Sequence, residues 1–132
     1  MASDSKSELD ELALEFLKLV HDVIPWREVP EDVRREKWRV LAKRVMASSG
    51  EDLQEFMHNV VRGVAGEVFY VKRGGSTKGS ETRPLGKELE ELLKKVREKQ
   101  TEKELLAYVK SRAMPLVIRL SARLKEEEEE GE

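Results

Sequence analysis

The sequence predicts an all-α protein: a five-helix bundle with one long, basic, glycine-rich loop and a disordered acidic C-terminal tail. Three observations carry this. Apolar residues recur at three- and four-residue steps through most of the chain, the period of a helix with one buried face. Hydroxyl, acidic and proline residues stand where those periodic runs begin and end. Only the stretch from Tyr70 to Lys87, YVKRGGSTKGSETRPLGK, is both long and unreadable as helix.

In the first helix, Ser5-Lys6-Ser7-Glu8 and Ser7-Glu8-Leu9-Asp10 each set a hydroxyl cap ahead of an acid. Leu9, Leu12, Phe16, Leu19, Val20 and Val23 form its stripe, widened by Ala13, Leu17 and Ile24, and Pro25 ends it. Trp26 at that corner is expected to be a core lid. Pro30 suits a first helical turn, with Glu31 and Asp32 at the positive end of the dipole. The second helix runs its apolar face through Val33, Val40, Leu41, Val45 and Met46, with Trp38 on or near that face, and carries Arg34, Arg35, Lys37, Arg39, Lys43 and Arg44 against only Glu36.

Ser48-Ser49-Gly50 is a turn and a cap, after which Glu51 and Asp52 open a third helix. Its apolar side is Leu53, Phe56, Met57, Val60, Val61, Val64 and Val68. Gly63 and Gly66 each cost about 1 kcal/mol there relative to Ala, which close approach of a neighbour explains better than a kink. The segment GEVFYV is readable as helix or as a short strand. After the loop, a fourth helix buries Leu89, Leu92, Leu93 and Val96. A capping box at Thr101-Glu102-Lys103-Glu104 then starts a fifth, with Leu105, Leu106, Val109, Ala113, Val117, Leu120 and Leu124 inward. Pro115 either kinks this helix or splits it. The expected division is a single helical domain over 1–125 and a disordered tail over 126–132.

Composition narrows the function classes. With 132 residues, the chain is sized for one core. It has no cysteine, which removes disulfides, thiolate metal sites and cysteine nucleophiles. The opening MASDSKSELDEL lacks the order of a signal peptide and no segment offers a long apolar run, so a soluble cytoplasmic protein with no membrane contact is expected. Asn occurs once and Gln twice amid abundant Lys, Arg and Glu, a pattern of thermophilic proteins that points to an archaeal source.

The net charge of −2 conceals a partition. Residues 1–32 hold 3 basic and 9 acidic side chains and residues 126–132 hold 6 glutamates, so each end is net −6. The middle, with 22 basic and 12 acidic side chains, is net +10. Within it the loop carries Lys72, Arg73, Lys78, Arg83 and Lys87 against Glu81. Its four glycines and Pro84 make it flexible. A basic surface of this kind, made of the second helix, the loop and the outer Lys110, Arg112, Arg119 and Arg123, suits a phosphodiester backbone without reading its sequence.

Catalytic patterns fail where they are tested. His21 and His58 show no HxxxH or HExxH spacing, there is no GxSxG turn, and structural histidines are favoured over a metal site. Gly74 to Ser80 is superficially like a phosphate loop, but it reads Lys78-Gly79-Ser80 where Gly-Lys-Ser/Thr is needed and has no preceding strand. No enzymatic activity, metal or cofactor is expected.

From Trp38 to Leu124, about two thirds of the chain, the layout resembles the small helical subunit of CRISPR effector complexes, especially of type III-A. The likeness lies in the apolar helix ending in Gly66-Glu67-Val68-Phe69-Tyr70-Val71-Lys72-Arg73-Gly74, the gap, the short leucine helix 89–96 and the closing helix 102–124. Pro115 and the acidic tail depart from that layout. The resemblance implies an antiviral-defence, RNA-binding role: a non-catalytic subunit of a ribonucleoprotein that supports guide and target strands. It implies phosphate contacts from Arg34, Arg35, Lys43, Arg44, Lys72, Arg73 and Lys78. The expected partners are single-stranded RNA or DNA, other subunits of the complex, reached through the acidic first helix, and further copies of the chain. The alternative is a protein-interaction adaptor or homo-oligomeric bundle whose charge serves thermostability alone.

Overall fold

The computed structural model describes residues 2–70 and 86–130, with side-chain surroundings for 8–68 and 86–127. The fold is all-helical, with no strand among the described residues. These residues form seven α-helices rather than five: α1 (Ala2–Asp22), α2 (Glu31–Arg34), α3 (Lys37–Ala47), α4 (Leu53–Ala65), α5 (Lys87–Glu98), α6 (Glu102–Ser111) and α7 (Ala113–Glu130). A 3-10 turn, Trp26–Glu28, and a π-helical turn, Gly66–Tyr70, complete the described elements.

The two extra helices come from splits. The second periodic run breaks at Arg35–Glu36, where the Glu36 amide donates to the Val33 carbonyl at 2.9 Å and Glu36 takes φ −100°, ψ 9°. The last run divides at Arg112. This puts Pro115 in the first turn of α7, where its missing N–H removes no intrahelical bond. The Leu116 amide donates to the Arg112 carbonyl at 3.0 Å and opens the new helix.

Three local expectations need correction. Asp52 caps α4, its carboxylate accepting from the Glu55 amide at 2.8 Å, while Gly50 lies so close to α4 that a Cβ there would sit 2.6 Å from the Phe56 nitrogen. Thr101 makes no capping bond through its side chain. It is held instead by the closure of α5, in which Gln100 takes φ 53°, the Gln100 amide donates to the Arg97 carbonyl and the Thr101 amide to the Val96 carbonyl. That is the glycine-type helix stop, and it fixes Thr101 before α6 can use it as a cap. Finally, α7 runs on to Glu130 where a disordered tail is expected from 126. Extending an existing helix by a good helix former costs little, and Arg123 lies one turn before Glu126 and Glu127.

The bundle forms around α1, which packs against α4, α5, α6 and α7, while α7 is also laid along α3. Phe16 of α1 and Phe56 of α4 stack at the centre, centroids 5.6 Å apart and planes 15° apart. Among the described residues every fully buried side chain is apolar or Tyr108. Ala42 on α3 is completely buried. The segment expected to be helix or strand resolves for 66–70 as the π-helical turn, continuous with α4.

Candidate nucleic-acid interface

The charged side chains fall into two sets. The acids of α1 stand at the rim of its buried stripe, within reach of the helices packed on either side. Asp10 accepts from the Arg119 guanidinium at 2.6 Å, Glu11 pairs with Arg123 at 2.7 Å, Glu15 with Lys95 at 3.2 Å and Glu8 with Lys99 at 3.4 Å. Asp10 also accepts a short hydrogen bond from the Tyr108 hydroxyl, and Arg112 covers the Tyr108 ring at 5.0 Å. The Tyr108 hydroxyl, with Arg119 beside it, holds the Asp10 carboxyl below its ordinary range, and Arg123 does the same for Glu11. Burial and the Asp10 bond push the Tyr108 phenol up.

These contacts change two expectations. These acids of α1 are paired within the fold, and Arg119 and Arg123, both still solvent-exposed, are partnered by them. Their spacing beside the α7 apolar stripe puts them at a packing rim.

The sites expected to contact phosphate divide. Arg34 and Lys43 are exposed and make no ion pair with a described residue. Arg35 pairs with Glu31 at 3.6 Å along α2, both side chains three-quarters exposed, a solvated contact of little strength. Arg44 is half-buried, its Nε donating to Glu67 at 2.8 Å, which ties α3 to the turn after α4. Gly63 makes room for it: a Cβ there would lie 2.9 Å from the Arg44 Cδ. The close approach expected at Gly63 is therefore that of one arginine stem, whereas Gly66 faces open space where α4 passes into the π turn. Lys72, Arg73 and Lys78 lie outside the described residues.

Arg39 is absent from the set that the sequence nominates, yet it belongs with Lys43. The two are one turn apart on α3, both exposed, on the side opposite buried Leu41 and Val45. A second feature is an aromatic stack at the Pro25 corner. The His21 imidazole lies 5.6 Å from Trp26 and 4.9 Å from Trp38, the latter within 9° of parallel. Trp26 is the expected lid, its indole N–H donating to the His21 carbonyl at 2.8 Å. The Lys37 ammonium lies 4.8 Å from the Trp38 ring centre. His21, Lys37 and Trp38 form one wall of a cleft of about 510 Å³, and Ser121, Leu124, Lys125 and Glu127 form the other. The cleft therefore runs between the start of α3 and the end of α7. Its signal in the sequence is the density of rings around one helix end.

No protein-family model matches the chain, and no curated protein or solved structure matches it. Among the described residues no group of three His, Asp or Glu side chains could hold a metal ion, and no helix is long and apolar enough to cross a membrane.

Proposed function

We propose that this chain is a non-catalytic, sequence-independent nucleic-acid-binding subunit of a ribonucleoprotein complex, of the kind that the small helical subunits of type III-A CRISPR effectors exemplify. The observation that carries this reading is the exposed face of α2 and α3. Arg34, Arg39 and Lys43 have no acid partner among the described residues, in a protein whose α1 acids from Glu8 to Glu15 are committed to cations elsewhere. Exposed cations with no acid partner among the described residues, set along α2 and α3, attract a polyanion by releasing its counterions and discriminate little between sequences. Arg35 joins that set readily, and the basic loop with Lys72, Arg73 and Lys78 extends it in sequence.

A salt titration of binding to single-stranded RNA and single-stranded DNA tests this. The logarithm of the binding constant falls linearly with the logarithm of salt concentration, and reversing charge at Lys72 and Arg73 flattens the slope by about 0.7 for each phosphate that is no longer neutralised. Absence of binding to either strand at low ionic strength sinks the proposal.

One observation favours the alternative of a protein-interaction adaptor or self-associating bundle: Met46, Met114 and Ile118 are 57%, 43% and 62% exposed. Met114 and Ile118 are one helical turn apart, so α7 presents a short apolar stripe. The same subunit can carry both surfaces, since neighbours in a ribonucleoprotein need a protein contact as well as a strand.

A further inference from the structure

We propose that the cleft between the start of α3 and the end of α7 receives one unstacked base of a single-stranded nucleic acid, laid against Trp38, with Lys37 and Lys125 at its flanking phosphates. This deepens the nucleic-acid reading above and rests on it.

The ring stack supplies a rigid platform. Trp26 is anchored by its bond to the His21 carbonyl, His21 lies on Trp26, and Trp38 lies nearly parallel on His21. Trp38 is partly exposed and, with His21, lines the cleft, whose volume of about 510 Å³ falls among small-ligand sites. An indole held flat by neighbouring rings loses no side-chain freedom when a base stacks on it, and every base offers the same π face.

The charges suit a nucleotide rather than a neutral aromatic. Lys37 and Lys125 both line the cleft, as does Ser121, whose hydroxyl can both donate and accept. Glu127, the one acid among the described residues lining the cleft, also lines the neighbouring groove beside Arg123, whose charge it stabilises. In the chain, Arg34 and Arg35 come one turn before Trp38 and Arg39 directly after it, so a strand tracking the cationic face passes the mouth of the cleft. A duplex keeps its bases stacked inside and gains nothing from the platform, so a preference for single strands follows.

Both tryptophans of the protein belong to this stack, so its intrinsic fluorescence reports the cleft without a label. The full chain is titrated at low ionic strength with a short oligothymidine and with an abasic strand of equal length and charge. The expected result is quenching and about 5- to 150-fold tighter binding of the base-bearing strand, the range for one base–aromatic stack. Trp38→Ala should bring oligothymidine down to the affinity of the abasic strand, with thermal unfolding confirming that the variant folds. Equal affinity of the unaltered protein for both strands overturns the stacking proposal and leaves phosphate binding standing. Binding of neither strand overturns both.

Discussion

Along α1, four carboxylates meet cations of α5, of its C-cap Lys99 and of α7, whereas along α2 and α3 Arg34, Arg39 and Lys43 meet no acid among the described residues. The two regions draw on the same residue types and differ in where these sit relative to a packed face. The α1 acids border its buried stripe, so helices packed for apolar reasons bring their cations within reach. Arg39 and Lys43 point away from the α3 stripe, where none of the described helices arrives. Rim pairs of this kind belong to the fold, and each is individually weak because solvent screens it. Cations on an outward face have no such role, which is what makes them candidates for an external partner.

The largest effect on the paired side is expected at Asp10. Asp10→Ala removes the acceptor of both the Tyr108 hydroxyl and Arg119, and should cost about 1–2 kcal/mol in chemical unfolding, toward the lower end for hydrogen bonds to a charge because solvent reaches the site. The pH dependence follows from the depressed Asp10 carboxyl. Its contribution is complete above the ordinary value of 3.8 and is lost as pH falls through the lower folded-state value, so the gap between wild type and variant should close in acid. Strand affinity should not change. A gap that persists in acid would assign the effect to helix packing instead of the carboxylate.

The smaller effect lies where α3 meets α4. Gly63→Ala gains helix propensity of up to about 1 kcal/mol but pushes the Arg44 stem away from Glu67, a half-exposed pair worth less than about 1 kcal/mol. Thermal unfolding should therefore move little. A loss above about 2 kcal/mol would show that α3 and α4 cannot yield there.

Much of the fold is legible in the sequence because its signal is periodic. The core residues of α1, α4 and α5 stand at helical spacing in the sequence and are buried together. What is not legible depends on how a helix ends or on what arrives beside it. The division at Arg112 relocates Pro115 from a helix interior to a first turn, and both choices fit the same apolar stripe. Gln100 stops α5 in a conformation usually given to glycine, so the residue type carries no warning. The candidate site is half legible. An excess of cations is a sequence property, but which of them a fold pairs is not: Arg44, Arg119 and Arg123 read as unpaired cations until Glu67, Asp10 and Glu11 are placed beside them. The Trp26–His21–Trp38 stack joins a helix end to the next but one helix, an arrangement that no single period announces.

The central claim is that the α2–α3 cations serve a polyanion and not the fold. The direct test is one triple variant, Arg34→Glu, Arg39→Glu and Lys43→Glu, measured side by side with the unaltered protein in thermal unfolding and in salt-dependent binding to a single strand. The account predicts an unfolding midpoint within a few degrees of the original and a salt slope flattened by about 2, at roughly 0.7 per phosphate. A large drop in the midpoint with the salt slope unchanged would contradict it.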